Sequence, residues 1–208
     1  LLTGAFLLNA EIIDRIAVTV GPQVITASDL EREIRVTAFL NGTSPDFSME
    51  GKRKTADLIV RQRLVKREVD LARYPAPDPA DIDPVLKTFK QDNYPNPEEY
   101  EKALAKFGIT EREIRDHILS QLTFLKFVNL RFRAAVQISD EDVQAYFTKV
   151  IEPAAKAASS GEPVLLEDYR ERVIENLTEQ QVDKDLDQWI REAVKRTAVE
   201  YRPEVFKP

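Results

Sequence analysis

Apolar and β-branched residues crowd the stretch from Ile12 to Thr26, at Ile13, Ile16, Val18, Val20, Val24 and Ile25, with Gly21-Pro22 between them. That pattern predicts a β-hairpin, or two short strands about a turn. Ser28 and Glu31 stand at capping-box spacing and open a helix that carries Ile34, Ala38 and Phe39 to the stop signal Asn41-Gly42. After a loop from Thr43 to Ser48, Ala56, Leu58, Ile59, Leu64, Val65, Val69 and Ala72 recur at helical spacing, which predicts a helix from Met49 to Arg73. Tyr74-Pro75-Ala76-Pro77-Asp78-Pro79 reads as a stiff connector. Short helices are expected over Asp81 to Asp92, with Pro84 in the first turn, and over Glu98 to Phe107, stopped by Gly108. Tyr94-Pro95-Asn96-Pro97 separates them.

A second capping box, Thr110 to Glu113, begins the longest predicted helix, Thr110 to Val136. At 100° per residue Ile114, Ile118, Leu122, Leu125, Val128 and Phe132 form one apolar stripe, while Leu119, Phe127 and Leu130 fall on another side. A helix apolar on two sides is either enclosed by neighbours or buries one side and offers the other to a partner. Ser139-Asp140-Glu141-Asp142 caps a helix through Val143, Tyr146, Phe147 and Val150. Glu152 to Pro163 has few large apolar groups and reads as a solvated linker. Leu165 to Arg196 is helical, with an interruption expected near Thr178 to Gln181: Tyr169, Val173 and Leu177 align before it, and Val182, Leu186, Trp189 and Ala193 align on another face after it. Thr197 to Arg202 alternates and predicts a strand, which needs a partner. The strand candidates at the other end of the sequence supply one. The fold expected is therefore mainly α, of the α+β kind, with a small antiparallel sheet formed by N- and C-terminal strands.

Composition narrows the chemistry. The 208 residues hold no cysteine and one histidine, His117, so thiolate catalysis, disulfides and Cys-based metal sites are excluded. The net charge of −6 speaks against nucleic acid, for which a basic field is expected. The helix from Met49 carries Lys52, Arg53, Lys54, Arg61, Arg63, Lys66, Arg67 and Arg73 against Asp57, Glu68 and Asp70, but lacks interleaved aromatics to stack bases. No phosphate-binding glycine motif, zinc-binding H-E-x-x-H or nucleophile elbow occurs. Acidic pairs such as Glu98-Glu99 sit at helix starts, where negative charge stabilises the dipole. His117 lies in mid-helix and reads as a surface or partly packed residue, not as a base. No enzyme, cofactor or metal is expected. Leu1 to Ala10 is short, apolar and ends in a small residue, as a signal-peptide remnant would. An N-terminal extension that forms a first helix is the other reading.

The order of elements carries a family resemblance. Asp14-Arg15-Ile16-Ala17-Val18, a turn, Val24-Ile25, then Ser28-Asp29-Leu30 resembles the opening of SurA-type periplasmic chaperones. Leu58-Ile59 with Leu64-Val65, Phe107-Gly108-Ile109-Thr110 with Ile114-Arg115, and Ile138-Ser139-Asp140-Glu141-Asp142-Val143 are similar to that family's later segments, as are Gln188-Trp189-Ile190 and the closing strand. The likeness spans most of residues 11 to 202: an N-terminal part 11–150, a linker 151–164, a C-terminal helix and strand 165–202, and a tail 203–208. In that family and in the related PrsA foldases a parvulin domain would follow Val150, where only Ile151 to Val164 intervenes here. The resemblance thus implies an exported, periplasmic, ATP-independent chaperone for unfolded polypeptides, outer-membrane protein precursors by analogy, without prolyl isomerase activity. An isomerase-type foldase whose catalytic domain is absent or degenerate, and an adaptor with one folded partner, are the alternatives. Whether the chain forms a homodimer stays open. For peptide binding the candidates are Phe89, Tyr94, Tyr100, Phe127 and Leu130: a groove near Phe127 and Leu130, flanked by the other three. Complete burial of that side of the long helix is the competing expectation.

Overall fold

The computed structural model describes residues 14–94, 96–158 and 164–207. The apolar segment Leu1 to Ala10 lies outside them. Three strands form one antiparallel sheet in the order β2-β1-β3: β1 (Ile16–Val20), β2 (Gln23–Thr26) and β3 (Val199–Tyr201). Gly21, at φ 56°, takes the left-handed conformation that the tight β1–β2 turn demands. A register shift between Ile16 and Val18 turns Ala17 fully inward. β3 pairs Val18, Thr19 and Val20 with Tyr201, Glu200 and Val199. The expected union of N- and C-terminal strands is thus present, and the class is mainly α with a small sheet.

The helices are α1 (Ala27–Leu40), α2 (Met49–Ala72), α3 (Ile82–Asn93), α4 (Pro97–Phe107), α5 (Glu111–Arg131), α6 (Asp140–Tyr146), α7 (Glu152–Ala158) and α8 (Arg170–Thr197). α1 starts earlier than its expected cap. Thr26 is the N-cap, bonded reciprocally with Asp29, because the chain leaves β2 directly into the helix. Ser28 instead binds the Asp14 carboxylate, which these bonds hold below the usual carboxylate range. α5 ends at Arg131, short of Val136; a 3₁₀ turn, Arg133–Ala135, follows. The segment expected as a linker is helical over α7, for alanine is the best helix former and Glu152–Lys156 makes an i,i+4 pair. The expected interruption near Thr178 is absent; α8 runs unbroken, and Thr178 turns its hydroxyl to the Ile174 carbonyl. Within the expected tail, residues 203–206 form a 3₁₀ turn that buries Val205 and Phe206.

The chain divides into two compact units, with boundaries inside α2 (after Arg61) and inside α5 (after His117). The first comprises the chain up to Arg61, Pro84–His117 and the chain from Thr197 on. It contains the sheet, α1, α4 and the beginnings of α2 and α5. Its closing strand is latched by side chains: the Tyr201 hydroxyl donates to Asp57 at 2.6 Å and the Arg53 guanidinium lies 3.6 Å from the Tyr201 ring centre. His117, expected at the surface or partly packed, is buried, its Nδ1 2.7 Å from Glu33 Oε1. The second unit comprises Gln62–Asp83 and Ile118–Arg196. In it Val143, Phe147, Ile151 and Val173 form a buried cluster between α8 and the α6–α7 segment. The chain passes from α6 to α7 through a π-helical turn, Phe147–Ile151, and both Phe147 and Ile151 belong to that cluster.

Candidate functional site

The five candidate residues fall into two groups. Phe89, Tyr94 and Tyr100 belong to the first unit, Phe127 and Leu130 to the second. Phe127 is 1% exposed and is enclosed by the rings of Trp189 at 5.1 Å, Tyr74 at 5.4 Å and Phe132 at 5.8 Å. Arg131 closes this cluster, its guanidinium within 5.8 Å of the rings of Phe127, Phe132 and Trp189, while it bonds Glu68 at 3.0 Å. Phe127 is therefore a core residue, and the competing expectation of burial holds at that position. Leu130 is 45% exposed, and Leu125 of the first stripe is 55% exposed. On α5 the apolar stripes thus do not map onto burial one for one.

The first group is built around Phe39, the last buried residue of α1. Tyr94 stacks parallel on it at 5.6 Å, Phe107 and Tyr100 meet it edge-on at 5.5 and 6.0 Å, and Phe89 is tilted at 5.6 Å. Local sequence explains the convergence. Asn41 and Gly42 end α1 just after Phe39, with Gly42 in the left-handed region. Gly108 ends α4 just after Phe107 in the same way. Two helix ends thereby deliver rings to one place, and the break at Tyr94 adds a third. Tyr100 is buried with no hydrogen-bond partner of ordinary geometry among the described residues. Burial, then repulsion from the Glu111 carboxylate, pushes its phenol well above the usual tyrosine range. Lys90 sits 4.3 Å from the Tyr100 ring centre and pairs with Glu111.

On one side this cluster opens. Arg35, Phe39, Gly42, Thr43, Ser44, Pro45, Phe47, Tyr94, Lys106 and Phe107 line a groove of about 540 Å³. Phe39 forms its apolar base, while Phe47, on the loop between α1 and α2, remains 41% exposed with the Arg35 guanidinium 5.5 Å from its ring centre. The loop is held from below. Asp46 caps Ser48, Ser48 accepts from the Gly51 amide, and a Cβ on Gly51 would stand 2.4 Å from the Asp46 carbonyl oxygen. Of the candidates, Tyr94 lines the groove and Phe89 and Tyr100 support it. Sequence reasoning missed Phe47, Arg35 and Lys106. The available signal was a single large apolar ring in an otherwise polar loop, Asn41 to Ser48.

A second, smaller cavity of about 130 Å³ lies among Gln62, Val69, Pro77, Leu119 and Thr123 in the other unit. It is too small for a peptide side chain with its backbone. Three of the cations on the basic face of α2 are ion-paired along the helix: Lys54 with Glu50, Arg53 with Asp57, Lys66 with Asp70. Among the described residues no group of three His, Asp or Glu is placed to hold a metal ion, and no helix is long and apolar enough to cross a membrane. No protein-family model matches the chain, and no curated protein matches it in sequence.

Proposed function

We propose that this chain is an ATP-independent chaperone that holds unfolded segments of other polypeptides in the aromatic groove beside Phe39 and Phe47. The observation that carries the reading is an exposed aromatic ring sharing a groove with a stacked aromatic cluster. Phe47, 41% exposed, and Phe39, 2% exposed, line the same groove of about 540 Å³. Aromatic side chains bury large areas with few torsions, so such a groove binds varied apolar segments at small entropic cost. Shallow burial with fast release suits a holdase and needs no nucleotide. The order of sequence motifs resembling SurA-type chaperones supports the same reading, and with it a periplasmic location and outer-membrane protein precursors as clients. The chaperone activity is proposed without prolyl isomerisation.

The test is suppression of aggregation. The purified chain, at stoichiometric ratio and without ATP, is expected to keep an unfolded β-barrel precursor from scattering light. Phe47→Ser is expected to lose most of that effect. Unchanged scattering in the presence of the wild-type chain contradicts the proposal. A chain that protects one folded partner but no unfolded one would be an adaptor.

A further inference from the structure

The groove has a charge character that its aromatic lining does not explain. The protein holds 36 carboxylates and 30 lysines and arginines, yet the two ionisable side chains that line the groove, apart from Tyr94, are both cations, Arg35 and Lys106. Lys106 is exposed and has no carboxylate partner among the described residues. It stands in the last turn of α4, where a cation also stabilises the helix dipole. Arg35 shares its charge with Glu31 at 3.1 Å and lies over Phe47. Glu31 is one helical turn back on α1 and does not line the groove. An entering apolar side chain would contact Phe39, Phe47, Tyr94 and Phe107, and the residue beside it in an extended segment would lie near one of the two cations.

We infer that the groove selects extended polypeptide segments in which an aromatic side chain stands next to a carboxylate, and disfavours those in which it stands next to a lysine or arginine. The inference rests on the groove being the peptide site and adds the class of segment it takes. The ring fills the apolar space, and Lys106 and Arg35 supply the charge complement. Exposed pairs of this kind are individually weak, so the charge sorts segments already bound by their rings; it does not bind them alone.

Three labelled nonapeptides with one central Phe, flanked by Asp, Asn or Lys and otherwise Gly and Ser, test this by fluorescence anisotropy against the whole chain. The Asp peptide is expected to bind about twofold to fivefold tighter than the Asn peptide, and the Lys peptide more weakly than either. Lys106→Glu should abolish or invert that order. Salt near 1 M, where the Debye length is about 3 Å, should bring the three together. Equal affinities for Asp and Asn, unaltered in Lys106→Glu, overturn the inference but leave peptide binding standing. Absence of binding by all three peptides overturns both. Concentration-dependent dimers in sedimentation that Phe47→Ser removes would make a second copy of this chain the occupant, and overturn the inference as well.

Discussion

Around Phe39 the rings of Phe89, Tyr94, Tyr100 and Phe107 stand at 5.5–6.0 Å; around Phe127 those of Trp189, Tyr74 and Phe132 stand at 5.1–5.8 Å. Ring content and spacing are nearly the same, but the first cluster lines an open groove and the second is sealed. The difference lies in what covers them. Arg131 lies over three rings of the second cluster and is itself anchored by Glu68 and Tyr74, so its cation closes the edge of a core. In the first cluster the cations Arg35 and Lys106 line an opening, and Phe47 faces solvent beside them. Aromatic density alone therefore does not mark a binding surface. What distinguishes the first cluster is the ring left exposed beside its buried ones, Phe47.

The sharpest way to break this comparison is to cut each cluster in turn. Phe127→Ser removes a fully buried ring and leaves a cavity, at a cost of about 3–5 kcal/mol. It should lower Tm strongly and change the emission of Trp189, the single tryptophan, which lies 5.1 Å from that ring. A melting curve like the wild type's would mean that the second cluster is not a core. Gly51→Ala comes next. Its Cβ would meet the Asp46 backbone, so the loop bearing Phe47 must shift, at about 1–3 kcal/mol. Thermal melts read the cost, and binding of a Phe-containing peptide reads whether the groove depends on that loop's position.

A smaller effect is expected from pH. The bond to Lys90, followed by that ion's charge, holds the Glu111 carboxyl below its ordinary value. A carboxyl whose pKa is lower in the folded state stabilises the fold above its unfolded pKa, near 4.3, and that stabilisation fades as pH falls through the folded value. Lys90→Met should flatten the loss of Tm between about pH 5 and pH 3; an unaltered slope would separate Lys90 from the acid stability of the first cluster. Phe47→Ser should have the smallest effect on stability, about 0.5 kcal/mol or less, because the ring is already half in water.

Much of the fold was legible because local signals agreed with one another. The Gly21 turn, the Gly108 stop and the alternating Val199 to Tyr201 each specify one conformation, and each is found there. The capping boxes at Thr110 and Ser139 hold as expected. Two of the expectations that failed had two local answers. Thr26 and Ser28 both offer a hydroxyl three residues before an acid, and the proximity of β2 selects Thr26. Thr178 to Gln181 are poorer helix formers than alanine, yet α8 continues through them, since Val173 and Val182 on either side are both buried. The site was less legible still. Tyr94 and its neighbours could be picked out by aromatic content, but Phe127 could not be told from them, because periodicity says which side chains share a face and not what covers that face. Phe47, Arg35 and Lys106 come from a loop and two helices far apart in sequence, and only the folded chain brings them to one groove.

The most direct test of the central claim is an anisotropy titration of one unfolded outer-membrane protein precursor with three proteins: wild type, Phe47→Ser and the exposed-leucine control Leu125→Ser. Wild type and Leu125→Ser should bind alike, while Phe47→Ser, with an unchanged Tm, should bind at least about tenfold more weakly, as expected when an exposed aromatic anchor is lost. Equal binding by all three would contradict the assignment of the groove.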